Sequence, residues 1–295
     1  MKQALKKLKS ILGNRFWLSG GQVLGSVRDG KFLNDEHDID LGIHQKDLFF
    51  ILDRLKREKI DISIRRIDGT DIIRAIKFCH GNIDVDVFVF IPIRDRVYAV
   101  THDEKVGHAF HSYPKELFDN LETLKVYEVN YNVPNPEEYL KLEYGRWRRP
   151  KKKWSCCINP PCLAKKVYLG GVFDLFHKGH LRLLKRARKY GEILYVSVLT
   201  DKAAKRWKRK PIIPYGQRVE IVREFADIVI PQFDVDETKD GYIDKINPDV
   251  IVHGDDKLPN SYSWAIIHKK QTVQVPYTKG VSTTKIIERI QRGSP

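Results

Sequence analysis

His177 and His180 stand three residues apart in Gly170-Gly171-Val172-Phe173-Asp174-Leu175-Phe176-His177-Lys178-Gly179-His180. That spacing lets both imidazoles face one ligand from one side of a helical turn. An apolar run, Val167-Tyr168-Leu169, precedes the stretch, and from Leu181 to Arg188 the apolar residues recur at helical spacing, so the order is strand, glycine turn, helix. This arrangement aims backbone N–H groups and a positive helix end at a phosphate. Gly179 removes a side chain where a triphosphate needs to approach the backbone. Two histidines alone favour a structural or metal-binding role; in this frame they favour phosphate chemistry. A second set is acidic. In the strand Asp38-Ile39-Asp40-Leu41-Gly42-Ile43, Asp38 and Asp40 point to one face. Like charges at that distance repel, and a bound divalent cation is the usual remedy. Ile83-Asp84-Val85-Asp86-Val87-Phe88 offers a third carboxylate. The plainer reading, aspartates alternating along a half-exposed strand, suits Asp84.

The elements that must position these groups differ between the two halves. Residues 1 to 12 form a basic amphipathic helix with Leu5, Leu8, Ile11 and Leu12 on one side. Phe16 to Gly21 is a strand running into a glycine turn. In the second half, the apolar run 192–201 suits a buried parallel strand. A helix around Gln217–Arg223, a strand at 228–230, a helix around Tyr242–Ile246 and strands at 250–256 and 272–275 follow. Ser282 caps a final helix from Thr283 to Arg292. Such alternation predicts an open parallel sheet, with ligands beyond the strands' carboxyl ends, where His177, Asp255 and Ser282 all fall. Between the halves, Arg148 to Lys165 is rich in Pro, Lys and Cys and reads as a connector.

Composition sets the outer bounds. The 295 residues allow one large domain or two ordinary ones, and 31% charged against 42% hydrophobic residues is normal for a globular chain. No apolar run reaches the ~20 residues of a membrane span, and the first residues lack a signal-peptide core. Cys156, Cys157 and Cys162 cluster, with Cys79 alone, which is no extracellular disulfide framework. Without a histidine pair at finger-like spacing, zinc is not the favoured reading of that cluster. A cytoplasmic location is the expectation. The net charge of +15 has two focal runs, Arg146 to Lys153 and Lys205 to Lys210, each with a tryptophan inside it. They fit a nucleic-acid surface, a site for triphosphates or peripheral attachment to an anionic membrane; charge alone does not choose.

The motif Gly-x-Phe-Asp-x-x-His-x-Gly-His resembles the signature of the small cytidylyltransferases, which join CTP to a phosphorylated alcohol and release pyrophosphate. Gly280-Val281-Ser282-Thr283-Thr284-Lys285 resembles the closing Ser-Thr-Thr motif of that family, and the likeness runs from about residue 165 to 292. It implies that His177 and His180 hold the triphosphate and that Gly170, Gly171, Phe173, Asp174, Gly179 and Asp255 form the nucleotide pocket. It further implies that Lys208 lies over the phosphates, with Lys205 and Lys210 as rivals. Arg218 would meet the substrate phosphate, and Ser282 and Thr283 would donate to phosphate. Where many relatives have Arg-Thr before the closing motif, this chain has Tyr277-Thr278-Lys279. The motif itself leans toward the phosphocholine and phosphoethanolamine type over the glycerol phosphate type.

The first half has its own likeness. Leu18-Ser19-Gly20-Gly21-x-x-Leu24-Gly25-x-Val27-Arg28 followed by Asp38-Ile39-Asp40 is similar to the LicD and fukutin-related group of the nucleotidyltransferase fold. Members of that group move a phosphoalcohol from a CDP-activated donor to a glycan. The likeness implies Gly20, Gly21 and Arg28 as phosphate contacts and Asp38, Asp40 and Asp86 as Mg²⁺ ligands, Asp86 ahead of Asp84 through Val85-Asp86-Val87-Phe88. Val133-Pro134-x-Pro136-x-x-Tyr139-Leu140 and Tyr144-Gly145-x-Trp147 are similar to the closing region of that group, whereas Glu36-His37 departs from its pattern. The expected architecture is α/β: an α+β nucleotidyltransferase-fold domain over 1–150, a linker over 151–165 and a Rossmann-like cytidylyltransferase domain over 166–295. Together these imply a bifunctional enzyme with CTP, a phosphoalcohol and a glycan as its partners. The alternatives are a cytidylyltransferase whose first half only binds glycan or a partner, and an RNA-binding enzyme, for which the catalytic motifs speak less; homodimer formation stays open.

Overall fold

The computed structural model describes residues 1–33, 38–103, 107–149, 162–207, 209–255 and 260–293. The chain divides into two compact units, Met1–Ile67 with Asp71–Leu163, and Asp68–Thr70 with Ala164–Pro295. Most of the expected linker lies outside the described residues. Cys162 and Leu163 fall in the first unit, where Leu163 bridges to His111.

The first unit runs α1 (Lys2–Leu12), β1 (Trp17–Leu18), α2 (Gly20–Asp29), β2 (Asp38–His44), α3 (Leu48–Arg57), β3 (Ser63–Arg66), β4 (Ile73–His80), β5 (Ile83–Ile93), β6 (Arg96–Asp103), β7 (Gly107–Pro114), α4 (Glu116–Asp119), β8 (Glu122–Val126), β9 (Val129–Val133) and α5 (Pro136–Tyr144). Its main sheet has the order β1-β2-β5-β4-β3, with β6 paired to β5 and β7 to β6. Strands β2 and β5 run parallel, whereas β4 and β5 run antiparallel. Alternation along the strands decides which face is buried. Ile39, Leu41 and Ile43 on β2 and Val85, Val87 and Val89 on β5 are fully buried, each contributing roughly 1.5–3 kcal/mol. The residues between them, Asp38, Asp40 and Asp86, are half-buried on the other face. Helix α1 buries Leu5, Leu8, Ile11 and Leu12, as its sequence pattern predicts.

The second unit runs β10 (Lys166–Gly171), α6 (Lys178–Ala187), β11 (Ile193–Leu199), α7 (Asp201–Trp207), α8 (Tyr215–Arg223), β12 (Ile228–Gln232), α9 (Tyr242–Ile246), β13 (Val250–Gly254), α10 (Asn260–Ile267), β14 (Gln271–Val275) and α11 (Thr283–Gln291). All five strands are parallel, in the order β12-β11-β10-β13-β14. Every residue of β11 is buried, as expected of a strand with helices on both faces. Val167, Leu169, Leu184, Val196, Val198, Val222 and Val252 form the core around it. The chain adds β11 and β12 on one side of β10, then crosses to add β13 and β14 on the other. The strand order thus reverses between β10 and β13, the place beyond whose carboxyl ends open α/β sheets hold ligands.

Candidate active sites

In the second unit, β10 ends at Gly171 and α6 begins after His177, its N-cap. The turn between them is tight: Phe173 and Leu175 adopt φ of 57° and 46°, a left-handed conformation that costs non-glycine residues of order 1 kcal/mol or more and clusters at functional turns. His177 Nδ1 accepts the N–H of Gly179 at 3.1 Å, and the His177 N–H donates to His180 Nδ1 at 3.4 Å. The two rings stack with centroids 3.9 Å apart and planes within 12°. Because both Nδ1 atoms accept from the backbone, each neutral ring carries its proton on Nε2, which makes both donors to a ligand oxygen. Burial lowers the pKa of His177, and burial with the His177 charge pushes His180 down to about 3. Both rings therefore act as neutral donors at neutral pH. A Cβ on Gly179 would lie 2.8 Å from His177 Cε1, so this glycine makes room for the histidine ring rather than directly for phosphate.

The closing motif meets this turn. Ser282 caps α11 by accepting the N–H of Lys285 at 3.1 Å, which leaves its own proton to donate. The Thr283 hydroxyl donates to the carbonyl of Asp174 at 3.1 Å. Asp174 is a structural acceptor: it takes the N–H groups of Ile212 (3.0 Å) and Ile213 (2.9 Å) and pairs with Arg209 at 3.0 Å. Burial would raise its pKa, but those N–H groups and Arg209 outweigh burial and hold it low. Asp174 thus fastens the 209–213 segment, next to Lys208, which lies outside the described residues. Gly170 leaves no room for a Cβ beside Glu237, Ser197 and Gln232, and one on Gly171 would press on Phe173. Asp255, past the end of β13, accepts from Gln274 at 3.0 Å.

Arg218 departs from its expected role. Its side chain is wholly buried, and its donors go to the carbonyls of Ile213 (2.9 Å), Val172 and Leu199 (2.8 Å) and to Asp201 (2.7 Å). It ties together the exits of β10 and β11 and so positions the site instead of touching a substrate phosphate.

In the first unit, Asp38, Asp40 and Asp86 come together, their carboxylate oxygens within 4.8 Å of one another. Parallel pairing sets Asp40 beside Asp86, while Asp84, opposite Asp38, is exposed. Lys77, opposite Asp86 on β4, donates to it at 2.7 Å. This ammonium neutralises one of the three charges, and the three convergent carboxylates are the all-oxygen donor set that fits a hard divalent metal. Gly20 and Gly21 form the first turn of α2. Gly20 has φ +55°, and a Cβ there would lie 2.8 Å from Asp40 Oδ2; only glycine brings the positive helix end so close to the acidic cluster. Arg28 sits at the far end of α2, about 12 Å away by helical rise, and pairs with Asp29 through both nitrogens at 3.0 and 2.8 Å. That bond raises its pKa against the effect of burial.

Three further residues complete this site, of which only Tyr139 stands in a motif, the closing region similar to the LicD group. Gln22, fully buried, donates to the carbonyl of Asp38 at 2.9 Å and accepts the N–H of Asp40 at 3.0 Å. Its amide continues the pairing of β2 where the two-residue β1 ends, and so sets both aspartates. Lys77 is the second. Tyr139, from α5, accepts the Gly20 N–H at 3.0 Å and lies 2.9 Å from the Ser19 hydroxyl.

Two family models match these halves: cytidylyltransferase-like over residues 168–289, and the nucleotidyltransferase domain of LicD/FKTN/FKRP over residues 13–136. The chain is 38% identical over 129 residues to glycerol-3-phosphate cytidylyltransferase of Bacillus subtilis (strain 168), covering 43% of this chain and 97% of that protein. It is 35% identical over 134 residues to the bifunctional protein HldE of Streptomyces coelicolor, which covers 43% of this chain and 29% of HldE. A solved lipopolysaccharide core biosynthesis protein from Thermoplasma volcanium GSS1 aligns with 40% of this chain and 99% of its own, at 28% identity and a TM-score of 0.34. A paired-histidine turn on a parallel sheet and an aspartate cluster at a glycine-led helix are thus each matched by a family, and the chain belongs to the cytidylyltransferase-like family through its second unit and carries a LicD-type nucleotidyltransferase domain in its first.

Proposed function

We propose that the second unit makes a CDP-alcohol from CTP and a phosphoalcohol, and that the first unit transfers the phosphoalcohol to a glycan. The observation that carries this reading is the stacked His177–His180 pair with both Nδ1 atoms bound to backbone N–H groups. An oxygen of the substrate phosphate attacks the α-phosphorus of CTP, the bond to the β-phosphate breaks, and pyrophosphate leaves with the electron pair. Charge grows on the α-phosphate oxygens and on the leaving group, where two Nε2–H donors, the Ser282 hydroxyl and the α6 and α11 N-termini stabilise it. Lys208 is proposed as the cation over the phosphates. Glycerol 3-phosphate is the first substrate to try, on the strength of the Bacillus subtilis relative. Phosphocholine and phosphoethanolamine, toward which the closing motif leans, are the other arms.

In the first unit a glycan hydroxyl attacks the phosphorus that bears the alcohol. The bond from that phosphorus to the bridging oxygen breaks, CMP leaves with the electron pair, and the hydroxyl proton passes to solvent. Asp38, Asp40 and Asp86 would hold a divalent cation, which when bound neutralises phosphate charge and orients the donor. Gln22 keeps the aspartates in place, and the α2 N-terminus with Gly20 and Gly21 receives the diphosphate. The test supplies CTP, Mg²⁺ and each phosphoalcohol, follows pyrophosphate, then adds glycan and follows CMP. Asp40→Asn should abolish CMP release and spare pyrophosphate release. One observation favours a second reading: Lys77 already neutralises Asp86, as suits a first unit that only binds glycan. Pyrophosphate release with no later CMP release from the wild type would select that reading.

A further inference from the structure

Folding brings three unlike donors together in the first unit from distant segments: His111 on β7, Glu143 on α5 and Cys162 near the end of the unit. All three are buried, and their ligand atoms lie within 4.8 Å of one another. Cys162 Sγ is 3.9 Å from His111 Nδ1 and 3.8 Å from Glu143 Oε1, and those two atoms are 3.3 Å apart. A tetrahedral zinc ion with one sulfur, one nitrogen and one oxygen ligand has edges of about 3.5 Å from the sulfur and about 3.3 Å between nitrogen and oxygen. The triangle already matches one edge and needs only a slight contraction at the other two.

Outer contacts aim the donors. His111 Nε2 lies 3.0 Å from the Thr101 hydroxyl; donation there leaves the Nδ1 lone pair for a metal. The Tyr113 hydroxyl donates to Glu143 Oε1, and the Ser112 N–H holds the Cys162 carbonyl at 2.8 Å. The Cys162 thiol donates to Glu143 Oε1; a bound dication displaces that proton and compensates thiolate and carboxylate together. We propose that His111, Glu143 and Cys162 bind zinc, with the fourth position of the tetrahedron filled by a water or a further side chain. The ion locks α5 to β7. Glu143 stands one helical turn after Tyr139, so the same ion steadies the tyrosine that holds the Gly20 N–H.

Elemental analysis of the desalted full-length protein after incubation with zinc tests this. One zinc per chain is expected, retained by Cys79→Ala, whose cysteine is exposed, and by Asp40→Asn. Cys162→Ala and Glu143→Gln should each cut the zinc retained by about ten-fold or more. Zinc content unchanged in Cys162→Ala, or no zinc in the wild type, overturns the proposal. Should the variants fold poorly, the wild-type melting temperature should fall on chelation and recover with zinc but not with magnesium; a melting temperature indifferent to zinc overturns it equally.

Discussion

At the scale of single residues, the role proposed for His177 and His180 rests on which nitrogen bears the proton. Protonating either Nδ1 breaks a bond to a backbone N–H, so acid should dismantle the pair. CTP-dependent pyrophosphate release should stay level through pH 6.5 and fall only at lower pH, where the folded rings take up protons; a rate that climbs with acidity would contradict neutral donors. Stability moves in the same direction. His180 binds its proton near 3 when folded against 6.5 in the open chain, so the unfolded state takes up the extra proton between those values. That part of the stability is intact above 6.5 and is lost as pH falls toward 3, which melting curves recorded across the range would show. His177→Ala and His180→Ala should each slow pyrophosphate release by ~10²–10³. Gln22 presents a different residue-scale case. Gln22→Ala leaves the Asp38 carbonyl and Asp40 N–H without their partner and should cost about 1–3 kcal/mol, seen as a lower denaturation midpoint together with weaker CMP release.

At the scale of elements, the second site is held by what crosses between strand ends. Arg218 on α8 joins the segments leaving β10 and β11 and anchors Asp201 at the start of α7. Arg218→Met removes a buried cation that three carbonyls and a carboxylate share, and should cost about 3 kcal/mol or more. If it positions the turn, as its burial indicates, kcat should fall while KM for the phosphoalcohol changes little; a rise confined to that KM would place it on the substrate after all. In the first unit α2 and α5 do the corresponding work, one delivering Gly20 to Asp40 and the other delivering Tyr139 to Gly20.

At the scale of the whole molecule, a charge of +15 favours encounter with nucleotides and phosphorylated substrates. As the Debye length shrinks from about 10 Å at 0.1 M salt to about 3 Å at 1 M, KM for CTP should rise while kcat holds. Equal loss in both would point to salt acting on structure. No helix among the described residues is long and apolar enough to cross a membrane.

Local geometry was legible without coordinates wherever it follows from spacing along one element. The i, i+3 histidines at a helix entrance, the aspartates two apart on a strand and the alternation of strand and helix in the second half all depend on fixed helical and strand periods. The cap at Ser282 belongs to the same class. Sequence could not say which way Arg218 turns, because an arginine on a helix serves solvent, ligand or core according to what packs over it. Nor could it find Gln22, Lys77 and Tyr139 as neighbours of the aspartates, or join Cys162 to His111 and Glu143. Those associations depend on strand register, as for Lys77 and Asp86, and on contacts between residues far apart in sequence, as for Ser19 with Tyr139 and His111 with Glu143. Periodicity thus determined the elements and the faces they present, while packing alone decided which faces meet.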